Sequence, residues 1–292
     1  MNLFQYDYMI RALIGALVIG VTAPTIGIYL VQRRMSLIGD GVGHVALTGV
    51  GVGLLFNRSP VITAVIVAAL GAIIIELVRE RGRTSGDMAL ALLFYGGIAG
   101  GVLLVGLSDS SSAALTSYLF GALTTTNATD LITIAVLGAV ILVTMIVLRP
   151  ALFAICHDEE YARVAGLPVR ALNLLLAVAT AVTVTLAMRT VGLLLISALM
   201  VVPVATAQQI TRGFRATMAA AVGVGLLAAV SGIWLAAVAD TAPGASIVVL
   251  AVGFFLVVAL GSAGWRAIRR RMTVPAAETT ADVGPPEVVL EN

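Results

Sequence analysis

Of 292 residues, 60% are hydrophobic and 11% are charged, with a formal net charge of +2; a soluble domain carries roughly 25% charged residues, so a water-exposed surface over most of this chain is excluded. One cysteine excludes an internal disulfide. All 17 basic residues are arginine, and without lysine the chain can build neither a phosphate-binding P-loop nor a Schiff base.

Apolar runs of about twenty residues recur from end to end, each long enough to cross roughly 30 Å of hydrocarbon as a helix. The alternation in segments of about ten residues that marks a membrane β-barrel is missing. Met1–Asp7 lacks the basic region of a cleavable signal peptide. The runs predict spans at 8–31, 36–56, 60–78, 86–107, 131–148, 171–188, 190–209, 217–239 and 246–264, and 171–209 also reads as one broken helix. Between 113 and 124, the stretch around SYLFG is too short to span and is bounded by Ser and Thr clusters. It is expected to be a re-entrant or interfacial segment packed on other helices. Residues 1–271 thus read as an all-α polytopic bundle of about eight or nine spans. The polar, aperiodic tail 272–292 reads as disordered.

Arginine placement orients the bundle. Arg33, Arg34, Arg79, Arg81, Arg83, Arg149, Arg163, Arg170, Arg212, Arg215, Arg266, Arg269, Arg270 and Arg271 fall at one side, against Arg11, Arg58 and Arg189 at the other. The positive-inside rule then places the C-terminus in the cytoplasm and the N-terminus outside.

The second span carries the most informative residues. In SLIGDGVGHVALTG, Ser36, Asp40, His44 and Thr48 recur every fourth position and form one polar stripe on a helix. Ionisable groups at this depth are costly and point to function. A carboxylate and an imidazole with Cβ atoms about 5–6 Å apart can share one borderline metal ion such as zinc, manganese or iron. The glycines of two GxxxG patterns, Gly39 with Gly43 and Gly49 with Gly53, allow close backbone approach. A two-fold dimer with this helix near its axis would then gather two carboxylates and two imidazoles. The alternative reading makes Asp40 a helix cap and His44 a donor to a backbone carbonyl. His157, beside a charged loop, reads as a surface residue, and Cys156 as a small core residue.

The loop CHDEEYARVAGLPVR predicts a short helix outside the membrane, with Asp158, Ala162 and Gly166 on one small-residue face and Pro168 ending it. Such a face suits insertion into a partner's groove; a solvated connector is the competing reading.

These residues resemble a known family. The pattern at Ser36–His44 is similar to the second-span motif of the ABC-3 permeases, the membrane subunits of bacterial zinc, manganese and iron ABC importers. TSGDMALALLFYGG, LTSYLFGAL, DEEYARVAGLPVRALNLLL, RTVGLLLISALMVVPVATA and DTAPGASIVVL resemble further family segments in the same order, so the likeness extends over roughly residues 10 to 265. It implies a homodimer in the bacterial plasma membrane, two cytoplasmic ATPase subunits that bind the ATP, and an extracytoplasmic metal-binding protein. No nucleic acid and no permanent cofactor is implied; the metal is cargo. By the same likeness Asp40 and His44 ligate the ion, with Ser36 and Thr48 lining its path. Asp158, Glu159, Tyr161, Ala162, Gly166 and Pro168 belong to the loop coupled to the ATPase. Arg189, Asp240, Pro243 and Gly244 shape the outer mouth or docking surface, where Arg189 either gates the path or anchors a helix. Gly43 departs from the pattern, in which a serine often precedes the histidine.

Three rival functions are weighed against that reading. A permease for a siderophore, haem or cobalamin needs a wide pore lined by polar and aromatic groups, and only 5% of residues are aromatic. A secondary, proton-coupled transporter needs no ATPase. An intramembrane metalloenzyme needs three ligands and a base, whereas the chain has two histidines and no HExxH.

Overall fold

The computed structural model describes the backbone of residues 7–80, 86–108, 112–121, 128–188 and 191–272. The tail from 273 onward, Arg81, Arg83 and Arg189 lie outside the described residues. Helix α1 (Asp7–Gln32) leads through a tight turn to α2 (Ile38–Leu55), followed by α3 (Pro60–Glu80) and α4 (Gly86–Leu107). The short α5 (Ser112–Phe120) precedes α6 (Ala128–Val147), which is bent by 66° from α7 (Arg149–His157). Then come α8 (Glu159–Val164), α9 (Val169–Ala187), α10 (Leu193–Ile210), α11 (Phe214–Ala239) and α12 (Pro243–Met272).

Seven described helices are long and apolar enough to cross a membrane, and α6 with α7 makes an eighth. Residues 171–209 hold two helices, the second with a shorter apolar stretch, Leu195–Ile210. The stretch around SYLFG includes the nine-residue α5, which is too short to span and packs on α10 and α12.

Helix α2 is, with α1, the most buried of the candidate spans, and it packs on α3, α4, α9 and α10. The outer helices show why. On α3, Ile62, Ile66, Leu70 and Ile74 are exposed at every fourth position, while Ala64, Ala68 and Ala72 are fully buried against the bundle. Large apolar groups face outward and small ones face inward, because membrane helices associate through close packing rather than through escape from water. In α2, glycine carries this to its limit. A Cβ on Gly49 would lie 2.6 Å from the Ala64 Cα.

The close backbone approach expected of the two GxxxG patterns is made within the chain. Gly39 faces Ser197 and Met200 of α10, Gly43 faces Leu193 and Val184, and Gly49 and Gly53 face α3. All four are covered by their own chain.

The two ends of the bundle differ in charge. At one end, where α1 finishes and α2 begins, Arg33 bonds Glu159 of α8 and Asn173 of α9. Arg79 bonds Glu76 and reaches the Met35 sulfur, and Arg170 pairs with Glu80 at 3.0 Å. At the opposite end α2 passes to α3 through Asn57 and Arg58, and α11 passes to α12 through Asp240.

Candidate functional site

Asp40 and His44 lie on successive turns of α2. Asp40 is half-buried. It faces a cavity of about 240 Å³ shared with Leu37, Leu90, Ala91, Phe94 and Tyr95, so its walls come from α2 and α4. The Ser197 hydroxyl of α10 donates to its Oδ1. Sequence reasoning missed Ser197, and its only signal is a hydroxyl within the apolar run of α10.

His44 sits one turn deeper and is 7% exposed. The Phe94 ring closes over it edge-on, with centroids 4.2 Å apart. Its Nδ1 is buried with no hydrogen-bond partner. Buried polar atoms in native proteins are nearly always satisfied, so an unsatisfied imidazole nitrogen one turn from a carboxylate calls for a functional explanation. The backbone-donor alternative for His44 does not occur at that nitrogen.

The rest of the polar stripe separates from the pair. Ser36 lies in the turn before α2, which begins at Ile38. Thr48 is on the helix, but its hydroxyl donates to the Gly97 carbonyl of α4 at 2.8 Å. That bond ties two helices together where glycine lets them meet: a Cβ on Gly97 would lie 2.5 Å from the His44 carbonyl carbon. Among the described residues, no three His, Cys, Asp or Glu side chains gather into a group able to hold a metal ion. Among the described residues the site holds two such side chains, Asp40 and His44, with the Ser197 hydroxyl beside Asp40.

At the charged end, Asp158 caps α8 by accepting the Tyr161 N–H at 2.9 Å, which explains why a helix of six residues forms there. Of the expected small-residue face, Asp158 and Gly166 are exposed and Ala162 is fully buried, with Gly166 beyond the helix at φ 80°. Tyr161 and Val164 are exposed as well, at 68% and 87%, and Pro168 immediately precedes α9. Glu159 bridges Arg33 at 2.7 Å and Arg163 at 3.4 Å. Together with Glu76, Arg79, Glu80 and Arg170 it lines a charged cavity of about 840 Å³. His157 is exposed and stacks on Phe153.

At the opposite end, Asp240 is exposed and closes α11 in a left-handed conformation, φ 50°. Pro243 and Gly244 are buried, and Gly244 packs directly on the Val191 carbonyl. Of the four residues expected at this mouth, Asp240 is at the surface, two are packed inside, and Arg189 lies outside the described residues.

The fold is a polytopic helical bundle with a carboxylate and an imidazole on successive turns of a buried helix, a class that includes membrane transport proteins. Comparison with known proteins makes the class specific. Residues 5–262 match the model of the ABC 3 transport family, and the chain belongs to that family. It is 30% identical over 252 residues to the high-affinity zinc uptake system membrane protein ZnuB of Haemophilus influenzae, covering 86% of this chain and 97% of the relative. To the manganese transport system membrane protein MntC of Halalkalibacterium halodurans it is 31% identical over 255 residues, 87% of each chain. Among solved structures, PsaBC from Streptococcus pneumoniae in complex with Fab superimposes with TM-score 0.78 at 30% identity, covering 88% of this chain and 92% of that one. An inward-facing putative metal-chelate type ABC transporter shares the fold at TM-score 0.71 and 15% identity, covering 86% and 85%. The chain is thus a multi-span permease, the transport subunit of an ABC system and not itself a catalytic enzyme.

Proposed function

We propose that the chain carries a bare divalent transition-metal ion (zinc, manganese or iron) into the cytoplasm of a bacterium, with Asp40 and His44 as its transient ligands. The observation that carries this reading is the pair itself: a half-buried carboxylate on a small cavity, and one turn deeper an imidazole whose Nδ1 has no partner. The printed functions of the relatives, zinc uptake and manganese transport, support the same cargo class. A cavity of about 240 Å³ suits an ion with a few waters better than a siderophore or haem, since pockets for drug-sized ligands run to roughly 300–1,000 Å³.

Two ligands per chain are few for a borderline ion, which prefers about four. A second copy of the chain supplies the remainder, approaching through the Asp40 cavity, where Leu37 and Tyr95 are exposed, and not through the α2 glycines. Ser197 holds the carboxylate until the ion arrives. The exposed Tyr161 and Val164 of α8 dock on a separate ATPase subunit, and Arg33 carries the resulting movement from Glu159 to the turn that leads into α2. An extracytoplasmic binding protein delivers the ion at the Asp240 end. The arginine-bearing end faces the cytoplasm, as the positive-inside rule requires.

The test is uptake of radioactive zinc and manganese by proteoliposomes holding the permease, its ATPase and its binding protein. Asp40→Asn and His44→Ala each lower uptake by at least tenfold with the complex still assembled. Undiminished uptake in the double variant would overturn the assignment.

A further inference from the structure

A second cavity, of about 590 Å³, lies at the arginine-bearing end between α7 and the first turn of α11, on elements separate from the Asp40 site. Arg149, Arg212 and Arg215 line it, with Phe153 and Phe214 among its apolar walls and no carboxylate. Among the described residues, Arg33, Arg79, Arg163 and Arg170 are each paired with a glutamate, whereas these three have no ion-pair partner. The two phenylalanine rings pack at 5.0 Å, and Phe214 packs in turn on Tyr29 of α1 at 5.4 Å. The walls are therefore anchored in the bundle. Gly213 begins α11 without a side-chain cap, so the positive end of a 26-residue helix adds to the three guanidinium groups.

Exposed apolar surface continues along the helices that flank the cavity. Along α11 the exposed side continues from Arg215 through Ala219 and Gly223 to Leu227. On α6, Ile146 and Val147 are exposed immediately before Arg149. Uncompensated positive charge at the end of a lipid-facing apolar wall is what a molecule with an anionic head and hydrocarbon tails requires. A free phosphate would use only the arginines, and an acidic protein surface would leave the apolar wall without a partner.

We propose that this cavity binds an anionic phospholipid, its phosphodiester held by Arg149, Arg212 and Arg215 and its acyl chains lying along the exposed faces of α6 and α11. The inference goes beyond metal transport and needs only that the chain spans a bilayer.

Native mass spectrometry of the full chain, released from nanodiscs of equal phosphatidylglycerol and phosphatidylcholine, tests it. The expected result is phosphatidylglycerol retained on the order of tenfold over phosphatidylcholine. Arg149→Gln/Arg212→Gln/Arg215→Gln abolishes that preference, the corresponding triple lysine variant keeps most of it, and Arg58→Gln, at the opposite end, leaves it unchanged. Equal retention of the two lipids by the unaltered protein overturns the proposal even if the triple variant does not fold. Displacement of the lipid by millimolar inorganic phosphate reassigns the cavity to a free anion, and displacement by the purified ATPase reassigns it to that partner; either result also overturns the proposal.

Discussion

Arg33 and Glu159 are joined at 2.7 Å across the charged end of the bundle, and the same guanidinium donates to Asn173 Oδ1 at 2.6 Å. One side chain, 6% exposed, thus links the turn leading into α2 with α8 and α9. Glu159 has a second partner in Arg163, but Arg33 has no second carboxylate among the described residues. Arg33→Ala therefore strands Asn173 and frees the turn, at a cost of about 1–3 kcal/mol in stability. Transport should fall further than stability does, with more ATP hydrolysed per ion moved. Arg33→Lys should keep the charge but lose the forked geometry. Unchanged stoichiometry of uptake to hydrolysis in Arg33→Ala, measured in the reconstituted complex, would refute the link.

Ser197 is predicted to matter through Asp40. Its hydroxyl satisfies one carboxylate oxygen from across α10, so Ser197→Ala removes a charge-assisted bond while changing little volume. The loss should be about 1.5–3 kcal/mol where the carboxylate remains otherwise dry, and smaller where cavity water replaces the hydroxyl. Ser197→Thr keeps the donor but adds a methyl close to Gly39. Thermal unfolding in detergent and metal uptake, read together, separate the two effects: Ser197→Ala should lower uptake more than Ser197→Thr if orientation of Asp40 is what counts.

Neighbouring glycines of α4 should respond oppositely to the same change. Gly97 presses on the His44 backbone, whereas a Cβ on Gly96 would meet nothing within 4 Å. Gly96→Ala should be neutral or slightly stabilising, since alanine is the better helix former by about 1 kcal/mol. Gly97→Ala must push α4 away from α2, breaking the Thr48 bond to the Gly97 carbonyl and lifting Phe94 from His44. Overpacking of this kind costs about 1–3 kcal/mol, and it falls directly on the proposed ligand. Melting temperatures of the two variants that agree within error would show that the helices are not in contact there.

The spans and the Asp40–His44 pair are legible because each is written locally, in apolar runs of one bilayer thickness and in a four-residue spacing, whereas α7 and the extension of α12 to Met272 carry no such run. What was not legible depends on residues far apart in the chain. Ser197 reaches Asp40 across 157 positions, and no local pattern separates its hydroxyl from those that bond their own helix, as Thr180 and Thr206 do. The polar stripe over-extended at both ends for the same reason: Ser36 falls before the helix starts, and Thr48 is used by α4. Ala162 is buried although periodicity puts it on one face with the exposed Asp158, because α8 stops at Val164, too short for its faces to be assigned by spacing. The α2 glycines announced a close approach without saying which helix makes it.

The last prediction concerns Cys156, in α7 beyond the bend from α6. Its thiol is half-buried and faces the Tyr29 carbonyl at 3.8 Å. The Arg33 and Glu159 charges lie close to it. Only the thiolate reacts with an alkylating reagent, and a thiol packed against a neighbouring helix is shielded from both water and reagent. Alkylation by iodoacetamide should therefore be slow at pH 8 compared with a small free thiol. Glu159→Gln removes a charge that holds the proton on and should accelerate the reaction. Arg33→Gln removes one that helps it leave, and should slow the reaction wherever the fold is retained. The opposite signs distinguish electrostatics from loosening, because a merely opened structure would speed alkylation in both variants. A native rate equal to that of a small free thiol would place Cys156 in water and not against α1.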